Sequence, residues 1–310
     1  MRLVFLGSPE FAVPSLEALA RHYDITGVVT QPDRPAGRGR QTRSPAVRVT
    51  AHRLGLPVLQ PARISDPEAL ETISSWDPDL IVVAAFGQLL RPSILDLPRL
   101  GCLNIHASLL PRWRGASPIQ AAILAGDRTS GVTIMKMDQG LDTGPLLSQR
   151  AVPLSPDETG GSLSTRLASL GASILLETLP GYLAGSVVPV AQDEKQATYA
   201  PRLRKSDGAL DPAEPAERLA RRVRAFHPWP GAYIDWDGGR LAVLAAHATT
   251  DDLPSSPGTL SVLEGDPVLA TAQGTLHLDR VQPQGKKPMS GAAFLRGSRV
   301  FAGTSIKMPS

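Results

Sequence analysis

Short apolar runs alternate with longer stretches of helical period from the beginning of the chain. The runs cover residues 3–6, 25–30, 80–84, 102–105 and 132–137, and the stretches at 11–21, 45–54 and 67–76 place apolar side chains at helical spacing. That rhythm predicts βαβ units and an α/β fold with a parallel sheet. A further helix is predicted over 118–125, where Ser117 supplies the cap, Pro118 fits the first turn and Gly126 ends it. A long helical pattern over 162–183 closes this part of the chain.

Periodicity is lost over 184–205 and turn residues increase, as in a linker packed over a surface. Beyond it come a basic helix at 215–226, the rigid turn Pro228-Trp229-Pro230-Gly231, and strand-like runs at 232–236, 241–246, 268–271 and 276–281. Such short, closely spaced strands suggest a small β-barrel or sandwich. A chain of 310 residues suits two domains, and the predicted division is 1–183, a linker at 184–205, and 206–310.

Composition narrows the class. With 42% hydrophobic and 20% charged residues the chain has the profile of a soluble globular protein, which argues against disorder. Cys102 is the single cysteine, so an internal disulfide is impossible, and no Cys/His cluster has zinc spacing. A reducing compartment, by default the cytoplasm, and no metal are the expectations. Met1-Arg2 leads straight into an apolar strand without a signal-peptide core, and no apolar stretch reaches the roughly 18 residues of a membrane span. The net charge of +3 has its whole excess after residue 201, where 14 Lys/Arg face 11 Asp/Glu. That permits a polyanionic partner.

Candidate chemistry gathers around one strand. In Cys102-Leu103-Asn104-Ile105-His106 the period of two puts Asn104 and His106 on the same sheet face, at the carboxyl end of the strand. Ligands of open α/β sheets collect there, and an amide beside an imidazole can polarise a carbonyl. The loop Met137-Asp138-Gln139-Gly140-Leu141-Asp142-Thr143-Gly144 follows another strand of the same sheet and can bring a carboxylate to His106 as part of an acid/base unit. Spacing does not choose between Asp142 and Asp138, since either can satisfy turn amides. Ser108-Leu109-Leu110-Pro111-Arg112-Trp113-Arg114-Gly115 joins apolar, cationic and aromatic groups without periodicity and reads as a binding loop. The stretch from Thr30 through Arg34, Arg38 and Arg40 is a long arginine- and glycine-bearing loop suited to an anionic partner. It has no Walker pattern, and Gly7-Ser8-Pro9-Glu10 lacks the dinucleotide fingerprint.

Asn104-Ile105-His106, the Ser108-Leu109-Leu110-Pro111 turn and the Asp142 loop together resemble the folate-dependent formyltransferase superfamily. The likeness covers residues 1 to about 301. Together with the arginine loop and Phe226-His227-Pro228-Trp229-Pro230-Gly231, it is greatest to the branch that formylates methionyl-initiator tRNA. The resemblance implies a Rossmann-like N-terminal catalytic domain followed by an OB-like barrel that helps grip tRNA. It implies 10-formyltetrahydrofolate as formyl donor, methionyl-initiator tRNA as acceptor, catalytic roles for Asn104, His106 and Asp142, and a monomer. Ser108, Leu109, Leu110 and Pro111 would form the folate site, with Phe86, Gly87, Gln88 and Leu89 lining the pterin pocket, while Arg34, Arg38 and Arg40 reach toward tRNA. Formyltransferases acting on glycinamide ribonucleotide or a nucleotide sugar, a 10-formyltetrahydrofolate hydrolase, and a noncatalytic RNA-binding module remain alternatives.

Overall fold

The computed structural model describes residues 1–36, 41–298 and 301–307. The chain forms two compact units. The first comprises Met1–Pro118, Thr129–Pro153 and Ser164–Pro201; the second comprises Ile119–Arg128, Leu154–Leu163 and the chain from Arg202 onward.

The strands of the first unit are β1 (Arg2–Gly7), β2 (Asp24–Val29), β3 (Arg34–Ala36), β4 (Gln41–Arg43), β5 (Val58–Leu59), β6 (Leu80–Ala84), β7 (Cys102–His106), β8 (Arg114–Gly115), β9 (Thr129–Lys136), β10 (Leu146–Pro153) and β11 (Tyr199–Ala200). Seven of them make one sheet in the order β10-β9-β7-β6-β1-β2-β5. From β7 to β5 all neighbours are parallel. The apolar residues of β1, β6 and β7 are buried on both faces, which explains why their sequences read as continuous apolar runs. On one face Val4, Leu6, Ile81, Val83 and Cys102 pack with Ile73 of α3 (Pro67–Ser75), which follows α1 (Val13–His22) and α2 (Ala46–Arg53) in the chain, and with Ile94 of α4 (Pro92–Leu95). The other face meets α6 (Gly160–Leu183): a Cβ on Gly171 would lie 2.7 Å from Ile105 Cγ2.

One expectation is corrected. The run at 132–137 pairs antiparallel to β7, Asn104 opposite Met135 and His106 opposite Thr133, and the unexpected edge strand β10 pairs antiparallel to β9. The connection from β7 to β9 includes α5 (Pro118–Ala125). Antiparallel pairing means that the chain re-enters the sheet at the end where β7 left it.

In the second unit β12 (Ala232–Trp236), β13 (Gly239–Thr249), β14 (Leu260–Leu263), β15 (Asp266–Ala270), β16 (Thr275–Pro283) and β17 (Met289–Ser290) form an antiparallel sheet in the order β12-β13-β16-β15-β14, with β17 on β16. Register shifts in β13 at Val243/Ala245 and Ala245/His247 are bulges that let the sheet curl into a half-barrel. Among the described residues the pairing path does not close into a ring. Trp236, Phe294 and Phe301 meet edge to face with centroids 5.4–6.1 Å apart, and Leu219 and Val223 of α7 (Ala216–Ala225) join that core. Outside the core, α7 pairs Arg218 and Arg222 with Glu214 and Arg221 with Glu217, so two carboxylates offset part of the charge of its four arginines.

Candidate active site

β7 delivers Asn104 and His106 to the carboxyl end of the sheet, both buried and both on the face that carries Cys102. The Cys102 thiol is pushed up to about 12, first by burial and then by Asp96, so it stays protonated and packs as an apolar group. The two residues beyond it on that face meet a carboxylate. Asn104 Nδ2 donates a long hydrogen bond of 3.4 Å to Asp142 Oδ1, and His106 Nδ1 lies 3.6 Å from Asp142 Oδ2. The latter distance exceeds a hydrogen bond and becomes an ion pair when the ring is doubly protonated. His106 Nε2 lies 3.0 Å from the carbonyl oxygen of Trp113. A carbonyl only accepts, so Nε2 carries its hydrogen toward that oxygen.

Asp142 reaches this position through a left-handed backbone, φ 54°, a conformation that costs a non-glycine residue about 1–3 kcal/mol unless its surroundings hold it. They do. Asp142 Oδ2 accepts the Gly115 N–H at 2.8 Å, and Gln192 Nε2 donates to the Asp142 carbonyl at 2.8 Å. Two residues on, a Cβ at Gly144 would sit 1.9 Å from the Lys136 carbonyl oxygen, so only glycine lets the turn approach β9. The rival Asp138 is exposed and caps the same loop, accepting from Gly140 N at 3.0 Å and Thr143 Oγ1 at 2.6 Å. The fold therefore brings Asp142 to Asn104 and His106 and leaves Asp138 with turn groups.

The turn after β7 is held from beneath. Thr133 Oγ1 donates to the Ser108 carbonyl at 2.6 Å and accepts from Leu110 N at 3.1 Å, while Gln149 Nε2 donates to the Leu110 carbonyl at 2.7 Å. Ser108 Oγ donates to the Arg112 carbonyl at 2.6 Å. Ser108 and Leu110 are buried, and Leu109 and Pro111 are half-buried. At the end of the neighbouring strand β6, Ala85 and Gly87 have positive φ, 46° and 81°. Phe86 is buried in the core, and its carbonyl accepts from Gln31 Nε2. Gln88 Oε1 accepts from Ile64 N at 2.8 Å, which turns that side chain toward the backbone of the 62–64 segment. Leu89 is 77% exposed, and a Cβ on Gly87 would meet nothing within 4 Å. Of these four residues, Gly87 and Leu89 present the open edge that a flat apolar ring would need. The strand order reverses between β1 and β6, the crevice where open α/β sheets bind ligands.

Arg34 is exposed on the β3–β4 hairpin and donates to Gln31 Oε1 at 3.1 Å; Arg38 and Arg40 lie outside the described residues. At the hairpin's base Asp33 bonds Gln60, Arg48 and Ser44, and Gln60 first, then Arg48, holds its carboxyl below the usual range.

The binding loop at 108–115 is in part an interior feature. Arg112 stacks its guanidinium over the Trp113 ring at 4.4 Å. Arg114 is 0% exposed and donates to both Glu194 oxygens at 2.8 Å and twice to Gln192 Oε1. Glu194 is the main cause of its raised pKa. The stretch expected as a linker thus supplies groups to the site's frame, and β11 pairs parallel to β8. Gln192 and Glu194 escaped the sequence reading because about 80 residues separate them from Arg114. The available signal was Gln192-Asp193-Glu194, a polar triplet opposite an arginine set between Trp113 and Gly115.

Among the described residues no group of three or more His, Cys, Asp or Glu is arranged to hold a metal ion, and no helix is long and apolar enough to cross a membrane. Similarity extends over the whole chain. It is 49% identical over 308 residues to a methionyl-tRNA formyltransferase of Halorhodospira halophila, covering 99% of each chain. It is 47% identical over 311 residues to one of a Roseiflexus species, covering 99% of this chain and 95% of the other. Among solved structures, WlaRD, a sugar 3N-formyl transferase with dTDP and 5-N-formyl-THF, matches with TM-score 0.67 at 16% identity over 93% of this chain and 99% of that one. HypX from Aquifex aeolicus in complex with tetrahydrofolic acid matches with TM-score 0.64 at 17% identity over 97% of this chain and 48% of that one, a likeness of fold. Residues 1–179 match the formyl transferase family and 202–299 its C-terminal domain, so the strand bearing Asn104 and His106 and the loop bearing Asp142 lie inside the matched span, and the chain belongs to the formyl transferase family.

Proposed function

We propose that this chain transfers the formyl group of 10-formyltetrahydrofolate to the α-amino group of methionyl-initiator tRNA, the activity for which its relatives of nearly full length are named. The observation that carries the chemistry is the Asp142 carboxylate, set between the Asn104 amide, the His106 ring and the Gly115 N–H at the carboxyl end of β7.

10-Formyltetrahydrofolate supplies a formyl carbon bonded to nitrogen, whose oxygen gains negative charge as the amine adds. Asn104 Nδ2 has one hydrogen directed at Asp142 and a second to donate to that oxygen. A donor so placed typically contributes about 3–4 kcal/mol to the transition state. His106, whose Nε2 hydrogen is directed at the Trp113 carbonyl, becomes a second donor through Nδ1 once that nitrogen has taken up a proton. Asp142 relays the proton shed by the attacking nitrogen to the departing folate nitrogen. One carbon–nitrogen bond forms, one breaks, and the proton count is conserved. Gly87, Leu89 and the Ser108–Pro111 turn bind the donor, Phe86 and Gln88 shape that edge from within, and Arg34, Arg38 and Arg40 bind tRNA phosphates. Residues 1–183 carry catalysis and 206–310 help grip tRNA, in a cytoplasmic monomer.

Single-turnover transfer with purified charged initiator tRNA tests this reading. Asn104→Ala and His106→Ala should abolish it while leaving folate binding within about threefold, the pattern of groups that act in the transition state. Near-normal turnover in either variant overturns the assignment. Preferred formylation of glycinamide ribonucleotide or a nucleotide sugar, or donor hydrolysis alone, overturns the acceptor.

A further inference from the structure

Gln192 lies 50 residues beyond Asp142 in the chain, and its carboxamide is fully engaged. Oε1 accepts from Arg114 Nε at 3.1 Å and Nη2 at 2.9 Å; Nε2 donates to the carbonyls of Asp142 at 2.8 Å and Gly144 at 2.7 Å. A primary amide has two N–H groups and two lone pairs, so every position is used. Its orientation is forced, because a flipped amide would turn N–H groups toward the guanidinium and oxygen toward two carbonyls. Arg114 is immobilised in turn by burial and by both oxygens of Glu194.

The two carbonyls bracket the segment whose first residue holds φ 54°. Fixing the Asp142 peptide fixes the direction of its Cβ, and thereby the place of its carboxylate against Gly115 N, Asn104 and His106. We propose that Gln192 is a positioning residue for formyl transfer: its NH₂ group locks the Asp142–Gly144 turn, with the buried Arg114, itself held by the exposed Glu194, as the fixed support. This rests on the reading of Asp142 as a participant in the transfer.

The substitution Gln192→Glu separates positioning from mere packing. It keeps an acceptor for Arg114 and the side-chain size, but directs a carboxylate oxygen at two carbonyl oxygens. Gln192→Met removes both functions. If Gln192 positions Asp142, both variants lower single-turnover kcat by about 10²-fold, the effect of a misplacement of about 1 Å, with KM for folate and tRNA nearly unchanged. In both, the Gly115 amide, which reports the Asp142 carboxylate directly, loses its protection from hydrogen exchange. If Gln192 only packs against Arg114, Gln192→Glu keeps natural kcat, and the proposal is overturned. Slow transfer with unchanged Gly115 protection overturns it equally. Glu194→Gln, at a side chain 68% exposed, keeps one oxygen acceptor for Arg114 and lowers kcat in the same direction by a smaller factor; an unchanged kcat there removes Glu194 from the proposal. If the natural chain formylates no acceptor, the functional reading falls, while exchange at Gly115 still decides whether Gln192 sets Asp142.

Discussion

Thr133 has one hydroxyl and uses it three ways, donating to the Ser108 carbonyl and accepting from Leu110 N and Gln149 Nε2. Thr133→Val keeps the shape but leaves buried partners unsatisfied. Equilibrium unfolding should show a loss of about 1–3 kcal/mol, and folate titration should show weaker binding, because the turn proposed to hold folate loses its support. Unaltered stability would mean the site relaxes around the methyl. The two loop aspartates separate in the same physical terms. Asp142→Asn should lower transfer by about 10²–10⁴-fold, the range of a lost acid/base group, and Asp138→Asn, which touches only turn atoms, should leave transfer near natural when the two rates are compared. Asn104 and His106 were legible because a strand's period of two places them without any tertiary information. The choice between Asp138 and Asp142 was not, since it rests on a left-handed backbone and on Gly115 and Gln192, contacts made by folding. Gln88 shows the converse: its position beside β6 was foreseeable, but the bond to Ile64 N that turns its side chain inward was not.

At the scale of elements, the parallel core from β7 to β5 was readable because strands buried on both faces leave continuous apolar runs. The direction of β9 was not, since an apolar run carries no sign of direction. The strands β5 and β17, two residues each, are too short for any periodic signal. Two sheet neighbours in the second unit carry a consequence for pH. His247 of β13 and His277 of β16 are in register with rings stacked at 4.4 Å. Burial, followed by His247, pushes His277 below the ordinary imidazole range, with Asp279, Asp266 and Glu264 opposing. The folded chain thus binds fewer protons here than the unfolded one. Stability from this residue is complete above the unfolded pKa of roughly 6.5 and is lost as pH falls through the depressed folded value. Denaturant unfolding followed by tryptophan fluorescence should show a stability that declines as pH drops below that range. His277→Gln should flatten the decline, and an identical pH slope in the variant would assign the effect to other groups.

For the whole molecule, affinity for a polyanion cannot come from the net field of a chain at +3 and must come from local clusters. The basic helix α7, the most cationic element in the sequence, is a weaker candidate than its composition suggests, because Glu214 and Glu217 offset about half the charge of its four arginines. Sequence composition could reveal those arginines but not their partners, which sit one helical turn away or just ahead of the helix. The loop arginines differ. Arg34 is exposed and bonds a neutral amide, so its charge is not cancelled by its partner. Each phosphate contact made by a cation contributes about 0.7–0.9 to the slope of log affinity against log salt. Replacing Arg34, Arg38 and Arg40 together by Ala should therefore reduce that slope for initiator tRNA by about 2 to 3 if all three meet phosphates. Folate binding should be unaffected, since the folate turn lies on other strands. Arg221→Ala should leave the slope unchanged, because its charge is already matched by Glu217 in the free protein. Filter binding across a salt series measures all three. A full natural slope in the triple variant would move the tRNA contact away from the loop, and a fall in Arg221→Ala would show that tRNA displaces Glu217 from α7.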